Sequence, residues 1–190
     1  MPFLKASGGY YPHFTMESEF AIRIAVIEDA PAIARVNYLT WLHAYRGLIP
    51  DSELDSLNLE VLTGEWRQNL NLSNPRGITH VVRNDESLIA YSRFYPSVDP
   101  DEDQGRVATI GSVYVSPDFQ GRGIGRELIR AVLKAAGEQA FTEATLHVLV
   151  ANKRAREFYE NLGWERDMEA DLGGSGEETG SKIRYRTSLL

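Results

Sequence analysis

Apolar positions along this chain switch between a period of two and a period near 3.6, and the switches mark out its elements. AIRIAVI at 21–27 predicts a first strand. Asp29 then reads as an N-cap with Pro31 in the first turn. A helix follows to about Tyr45, with Ile33, Val36, Thr40, Trp41 and Ala44 along one side. YRGLIPDSELDSL turns at Gly47 and Pro50 and enters a second helix capped by Asp51 or Ser52. ITHVVRN and SLIAYSRFYP alternate as strands, with Asp85-Glu86 between them as a hairpin turn. The strand RVATIGSVYV comes next, and after it Leu128, Ile129, Val132 and Leu133 recur at a helical period to about Ala136. ATLHVLV is a further strand, Ala155, Phe158, Tyr159 and Leu162 stripe a short helix, and DMEADLG and KIRYRTSL flank the glycine-rich GGSGEETGS. The order βααβββαβαβ with a final strand predicts a mixed α/β sheet flanked by helices. Residues 1–20 show no sustained period and hold Gly8-Gly9 and two prolines, so they read as an extension, with Met16 a candidate natural start. Residues 21–190 read as one domain.

Composition narrows the chemistry. There is no cysteine, which excludes a disulfide framework, a thiolate metal site and an acyl-cysteine intermediate. No apolar run is long enough for a membrane span and no signal peptide is visible, so the expectation is a cytoplasmic protein without membrane contact. The net charge of −7 argues against nucleic acid, which needs a basic footprint, and gives a mild preference for cationic substrates. The acidic run Asp99, Asp101, Glu102, Asp103 reads as a solvated loop rather than a funnel for amines.

The chemistry concentrates in VYVSPDFQGRGIGR at 113–126, where a strand passes into a helix through a glycine-rich turn. Gly121, Gly123 and Gly125 allow successive backbone N–H groups to face one ligand at the positive end of the new helix, which suits a phosphate. The alternative is a tight connection with no ligand. A Walker loop and a dinucleotide fingerprint both fail on spacing, because the positions that need glycine or lysine fall on Arg126 and Leu128. What remains is Gln120-x-x-Gly123-x-Gly125 flanked by Arg122 and Arg126. A second motif, NKRAREFYENLGW from Asn152, reads as a capped helix that stops at Gly163.

The two motifs together resemble the GNAT superfamily of N-acetyltransferases, and the likeness covers most of the chain from Ile22 onward. The resemblance implies a GNAT fold whose splayed strand pair holds acyl-CoA. It implies acetyl-CoA as co-substrate, no metal, a small-molecule amine or peptide as acceptor, and a homodimer. Acetyl transfer would then proceed by direct attack of a primary amine within a ternary complex. The alternatives are a non-catalytic acyl-CoA-binding or sensor module, or transfer of a longer acyl group. The resemblance places CoA against the main chain of Val113, Tyr114 and Val115, against Gln120, Gly121, Arg122, Gly123, Ile124, Gly125 and Arg126, and against Asn152, which otherwise serves as a cap. It makes Tyr159 the general acid, a phenol that stays protonated at neutral pH, although the same residue also fits plain packing in its stripe. Many relatives carry Glu at the positions held here by Thr109 and Val150, so neither carboxylate is present. His147 is the titratable candidate for the base, Tyr114 could relay a proton, and an ordered water without a single base is the alternative. His43, Tyr45 and Arg46 would lie over the acceptor or simply pack on the surface.

Overall fold

The computed structural model describes residues 14–15, 20–71, 77–84, 87–170 and 181–189. Most of the N-terminal extension, the turn at Asp85-Glu86 and the glycine-rich tail segment fall outside them. Strands β1 (Phe14–Thr15), β2 (Ala21–Ile24), β3 (Ile78–Arg83), β4 (Leu88–Pro96), β5 (Val107–Val115), β6 (Glu143–Leu149), β7 (Glu165–Ala170) and β8 (Lys182–Ser188) form one sheet. Its spatial order is β1-β2-β3-β4-β5-β6-β8-β7. Neighbours pair antiparallel except β5 and β6, which are parallel and joined through α4 (Ile124–Glu138). This is the mixed sheet the periodicity predicts.

Central β4 is buried along LIAYSRF because helices cover both of its faces. On one side α1 (Ala30–Tyr45) and α3 (Leu59–Asn69) bring Ile33, Val36 and Trp66 against Val81, Leu88 and Tyr91. On the other, Ile124 and Leu128 of α4 pack on Val82, Ile89 and Ala90. Further along α4, Ile129 and Val132 join Phe94, Ile110, Leu146, Val148, Trp164, Ile183 and Tyr185.

Two local readings differ from expectation. Asp29 stands at the start of α1, but its carboxylate caps no helical N–H. It turns back to accept from Val26 N at 2.9 Å and from both Arg23 guanidinium nitrogens at 2.7 and 2.8 Å, tying β2 to the helix entrance. The second helix is two helices, α2 (Asp51–Asp55) and α3, with Pro50 rather than Asp51 or Ser52 at the N-cap of α2. The break comes at Asn58, whose side chain accepts from Glu60 N and Val61 N and restarts the helix.

Candidate active site

Strands β5 and β6 pair through Val107–Glu143, Ala108–Ala144 and Thr109–Thr145 and then part. From Ile110 onward the edge of β5 that faces β6 is open. A bulge contributes to the divergence: Arg93 faces Ser112 and Phe94 faces Ile110, so Gly111 is the extra residue on β5. The fork opens into a cleft of about 730 Å³ between the end of α1, the two strands, the glycine loop and α5 (Lys153–Glu160).

The glycine loop forms one end of the cleft. Gly121 and Gly123 take φ of +77° and +81°, a region that a side chain makes costly, and Gly123 is the N-cap of α4. As a result, Arg126 N and Glu127 N close on Gly123 O, while the N–H groups from Gly121 to Gly125 find no protein acceptor among the described residues. Gly125 lies under α5, where an added Cβ would stand 3.3 Å from the Phe158 ring. The Gln120 amide donates to Val115 O at 3.0 Å, so its side chain pins the turn to the end of β5. Thr40 Oγ1 from α1 reaches the same carbonyl at 3.4 Å.

Of the CoA-site residues taken from sequence, Val113, Tyr114, Val115, Gln120, Gly121, Gly123, Ile124, Gly125, Arg126 and Asn152 line the cleft. Arg122 does not. Its guanidinium lies over Phe119, 5.0 Å from the ring centre, and donates to Asp118 O. Asn152 accepts from Ala155 N at 3.0 Å, so it caps α5 as well as facing the cleft. Sequence reasoning passed over Lys153 and Arg154, which also line it. The signal was present, since two cations directly after an N-cap stand at the positive end of a helix. Arg46, Arg126, Lys153 and Arg154 line the cleft, and no Asp or Glu among the described residues does. The acidity of the chain therefore lies elsewhere, and the wall of the cleft gives no support to a preference for cationic acceptors.

Tyr159 and His147, the candidate acid and base, face the same cleft. The Tyr159 ring packs edge-on against Phe158 and Trp164 with centroids 5.1 and 5.9 Å away. Burial, with a smaller contribution from the Tyr45 hydroxyl, raises its phenol above the ordinary tyrosine value. It is a protonated donor at neutral pH. His147 stands on β6 opposite Arg184 of β8. Burial is the main cause that lowers its imidazole below the ordinary value, and Arg184 and Lys182 act in the same direction, while Asp99 and Asp101 oppose. It is therefore neutral near pH 7. Tyr114 lines the cleft too, but its hydroxyl accepts from Trp41 Nε1 at 3.0 Å, and burial together with Tyr45 raises it.

The positions of the two missing carboxylates lie away from the cleft. Thr109 is buried with its hydroxyl 3.3 Å from that of Thr145, below the fork, and Val150 packs on the core. His43, Tyr45 and Arg46 do line the cleft, at the end of α1, and Arg46 is held by Asp51 and Asp55 at 2.9 and 3.1 Å.

The acidic run is solvated only in part. Asp101 and Asp103 are exposed, but the side chains of Asp99 and Glu102 are 12% and 6% exposed, and the run folds onto β8. Arg184 meets Asp99, Asp101, Glu102 and Asp167 between 2.6 and 3.4 Å. Arg186 meets Glu102, Glu143 and Asp167. The pattern of like charges in sequence hides this because the arginines lie some eighty positions later.

The model of the acetyltransferase (GNAT) family matches residues 38–164. Mycothiol acetyltransferase from Rhodococcus jostii is 29% identical over 162 residues, 82% of this chain and 48% of that protein. Thialysine N-epsilon-acetyltransferase from Bos taurus is 32% identical over 84 residues, 44% of this chain and 48% of that protein. The chain thus spans about half the length of these curated relatives. Among solved structures, PaiA N-acetyltransferase from Thermoplasma acidophilum, in complex with coenzyme A, superposes with a TM-score of 0.71 at 20% identity, covering 90% of this chain and 99% of that one. No helix among the described residues is long and apolar enough to cross a membrane, and no cluster of three or more potential metal ligands occurs among them.

Proposed function

The chain belongs to the acetyltransferase (GNAT) family, and from that premise we propose that it transfers the acetyl group of acetyl-CoA to the primary amine of an acceptor by direct attack in a ternary complex. The observation that carries this reading is the fork between β5 and β6, which ends at a loop of unpartnered N–H groups and brings Tyr159 and His147 to one cleft.

The pyrophosphate would lie on the N–H groups from Gly121 to Gly125 with Arg126 beside them, and Lys153 and Arg154 at the start of α5 would add positive charge. The pantetheine arm would enter the fork along the main chain of Val113, Tyr114 and Val115. The acceptor would approach from the side of His43, Tyr45 and Arg46. Its neutral nitrogen attacks the thioester carbon, the C–N bond forms and the C–S bond breaks. The proton lost from nitrogen goes to His147, and Tyr159 gives its proton to the departing thiolate. Absence of cysteine leaves no thiol to carry the acetyl group between two half-reactions.

The first test is a calorimetric titration with acetyl-CoA beside NADH and ATP, followed by thiol release across a panel of amines. One-site binding of acetyl-CoA alone, with turnover of at least one amine, is the expected result. Binding without turnover of any amine would leave a CoA-binding module and end the enzyme reading. Replacing Tyr159 with Phe should lower kcat by about 100-fold or more, the usual contribution of a positioned acid, with acetyl-CoA affinity unchanged. Equal losses in kcat and in affinity would sink the acid assignment.

A further inference from the structure

His147 does not stand alone in the cleft wall. Its Nε2 is buried and lies 3.3 Å from Oδ2 of Asp99, outside hydrogen-bond alignment but within ion-pair distance. The two side chains are 19% and 12% exposed. Asp99 reaches β6 from the loop between β4 and β5, and three contacts hold it there. Its own N–H donates to Ser97 Oγ at 3.3 Å, its carbonyl accepts from Glu102 N at 3.1 Å, and Arg184 Nη1 lies 3.4 Å from the same Oδ2. With Nε2 turned toward a carboxylate, Nδ1 is the nitrogen left for the cleft.

We propose that Asp99 is a positioning residue for the transfer reaction, holding His147 as the Nε2–H tautomer so that the Nδ1 lone pair faces the attacking amine. The inference rests on the proposed reading of the cleft. A neutral imidazole exists in two tautomers, and the acceptor beside one nitrogen decides which is populated. A carboxylate at Nε2 favours the proton there and then stabilises the imidazolium that forms when Nδ1 takes a proton from the amine. The charged groups around His147 are Asp99 and Asp101 from the loop and Arg184 and Lys182 from β8. Asp99 is the carboxylate among them at ion-pair distance from the ring. The arrangement also accounts for an enzyme of this fold that has Thr109 and Val150 where a carboxylate base is usual. The base is a histidine, and the carboxylate stands behind it.

The tautomer is read directly by nitrogen NMR of the imidazole, which needs no acceptor. In the wild-type protein at neutral pH, His147 should show a protonated Nε2 and an unprotonated Nδ1. In Asp99→Asn, an isosteric change that leaves Arg184 with Asp101, Glu102 and Asp167, the His147 pKa should fall and the tautomer preference should weaken. A proton on Nδ1 in the wild type, or no change in the imidazole of Asp99→Asn, overturns the proposal. With an amine that turns over, Asp99→Asn should lower the plateau of kcat/KM by about tenfold, move its acid limb to lower pH, and leave the KM for acetyl-CoA within about twofold. A plateau and limb unchanged in Asp99→Asn would also overturn it. Failure of every amine to react would count against the proposed function, and the NMR result would still decide the pairing.

Discussion

His80 shows how a single side chain sets a pH dependence outside the cleft. It lies on β3 at 7% exposure, with its ring stacked 6.4 Å from Phe94 and its Nδ1 without a hydrogen-bond partner among the described residues. Burial lowers its pKa from 6.5 to about 4, against a smaller opposing pull from Glu138. Above pH 6.5 neither the folded nor the unfolded form binds the proton, so nothing is lost there. Between 6.5 and about 4 the unfolded chain binds it and the folded one does not, and stability falls by about 1.4 kcal/mol per pH unit, about 3 kcal/mol in all. His147 is lowered too and adds to the loss that begins as the pH falls through 6.5. Asp29 and Asp167 are held below the usual carboxylate range, so their contribution is lost at lower pH, once their unfolded-state value near 4 is passed. Urea unfolding at several pH values should therefore show a shallower loss from pH 7 to 4.5 in His80→Leu than in the wild type. Parallel curves would mean that the folded protein admits the proton at His80 without cost. Sequence could single out His147 and Tyr159 as titratable residues near recognisable motifs, and both line the cleft. It could not tell a buried orphan such as His80 from a histidine beside a carboxylate, because both sit on alternating strands and the difference lies in what crosses from other strands.

At the scale of the element, the glycine loop and the helices on either side were legible because local rules decide them. The α4 stripe, the Asn152 cap and the positive φ of Gly163 all follow from residues within a few positions of one another. Its glycines divide by physical role, and that division is testable. A Cβ on Gly121 or Gly123 would meet nothing within 4 Å, so the cost there is backbone conformation, about 1–2 kcal/mol for a non-glycine residue at positive φ. Relief of that strain would turn the N–H groups away from the proposed pyrophosphate position. Gly123→Ala should therefore raise the KM for acetyl-CoA with little change in kcat. Gly125 is at ordinary φ but beneath the Phe158 ring, next to Tyr159 in α5. In Gly125→Val the branched side chain displaces that ring and moves the proposed acid, so kcat should fall more than acetyl-CoA affinity, as expected when a catalytic group is misplaced by a fraction of an ångström. Steady-state kinetics with acetyl-CoA varied separates the two, and the same KM–kcat pattern in both variants would refute the division. The elements that were not legible are those whose limits depend on competing caps. The split between α2 and α3 at Asn58 is such a case, since Asp51, Ser52, Asp55, Ser56 and Asn58 all offer caps within eight residues and local rules do not rank them.

For the whole molecule, the cleft creates a mechanical problem that the sequence did not disclose. The sheet consists of β1 to β5 on one side and β6, β8 and β7 on the other, and among the described residues the backbone links between β5 and β6 gather at the closed end of the fork, in three residue pairs and the bond from Thr142 N to Arg106 O. Apolar packing under α4 joins the halves on one face. The acidic run supplies a second tie, because Asp99, Asp101 and Glu102 belong to the β4–β5 connection while Arg184 and Arg186 belong to β8. The charge pattern of the run, read by itself, suggests solvation. Its meaning depends on the two arginines of KIRYRTSLL, which alternate along β8 and are brought beside it by the sheet order. Arg184 is 5% exposed and is the centre of the tie. Its replacement by Met keeps the aliphatic bulk but leaves Asp99, Glu102 and Asp167 facing one another with Arg186 as the remaining guanidinium among them. Breaking a buried ion pair from one side costs about 3–5 kcal/mol, and the lower end applies here because Asp101 is half exposed and can turn to water. Arg184→Met should therefore lose about 3 kcal/mol in urea unfolding. A loss below about 1 kcal/mol would place these contacts with ordinary surface pairs. The halves would then be held by the apolar core under α4, and Asp99 would need a different anchor to stay beside His147.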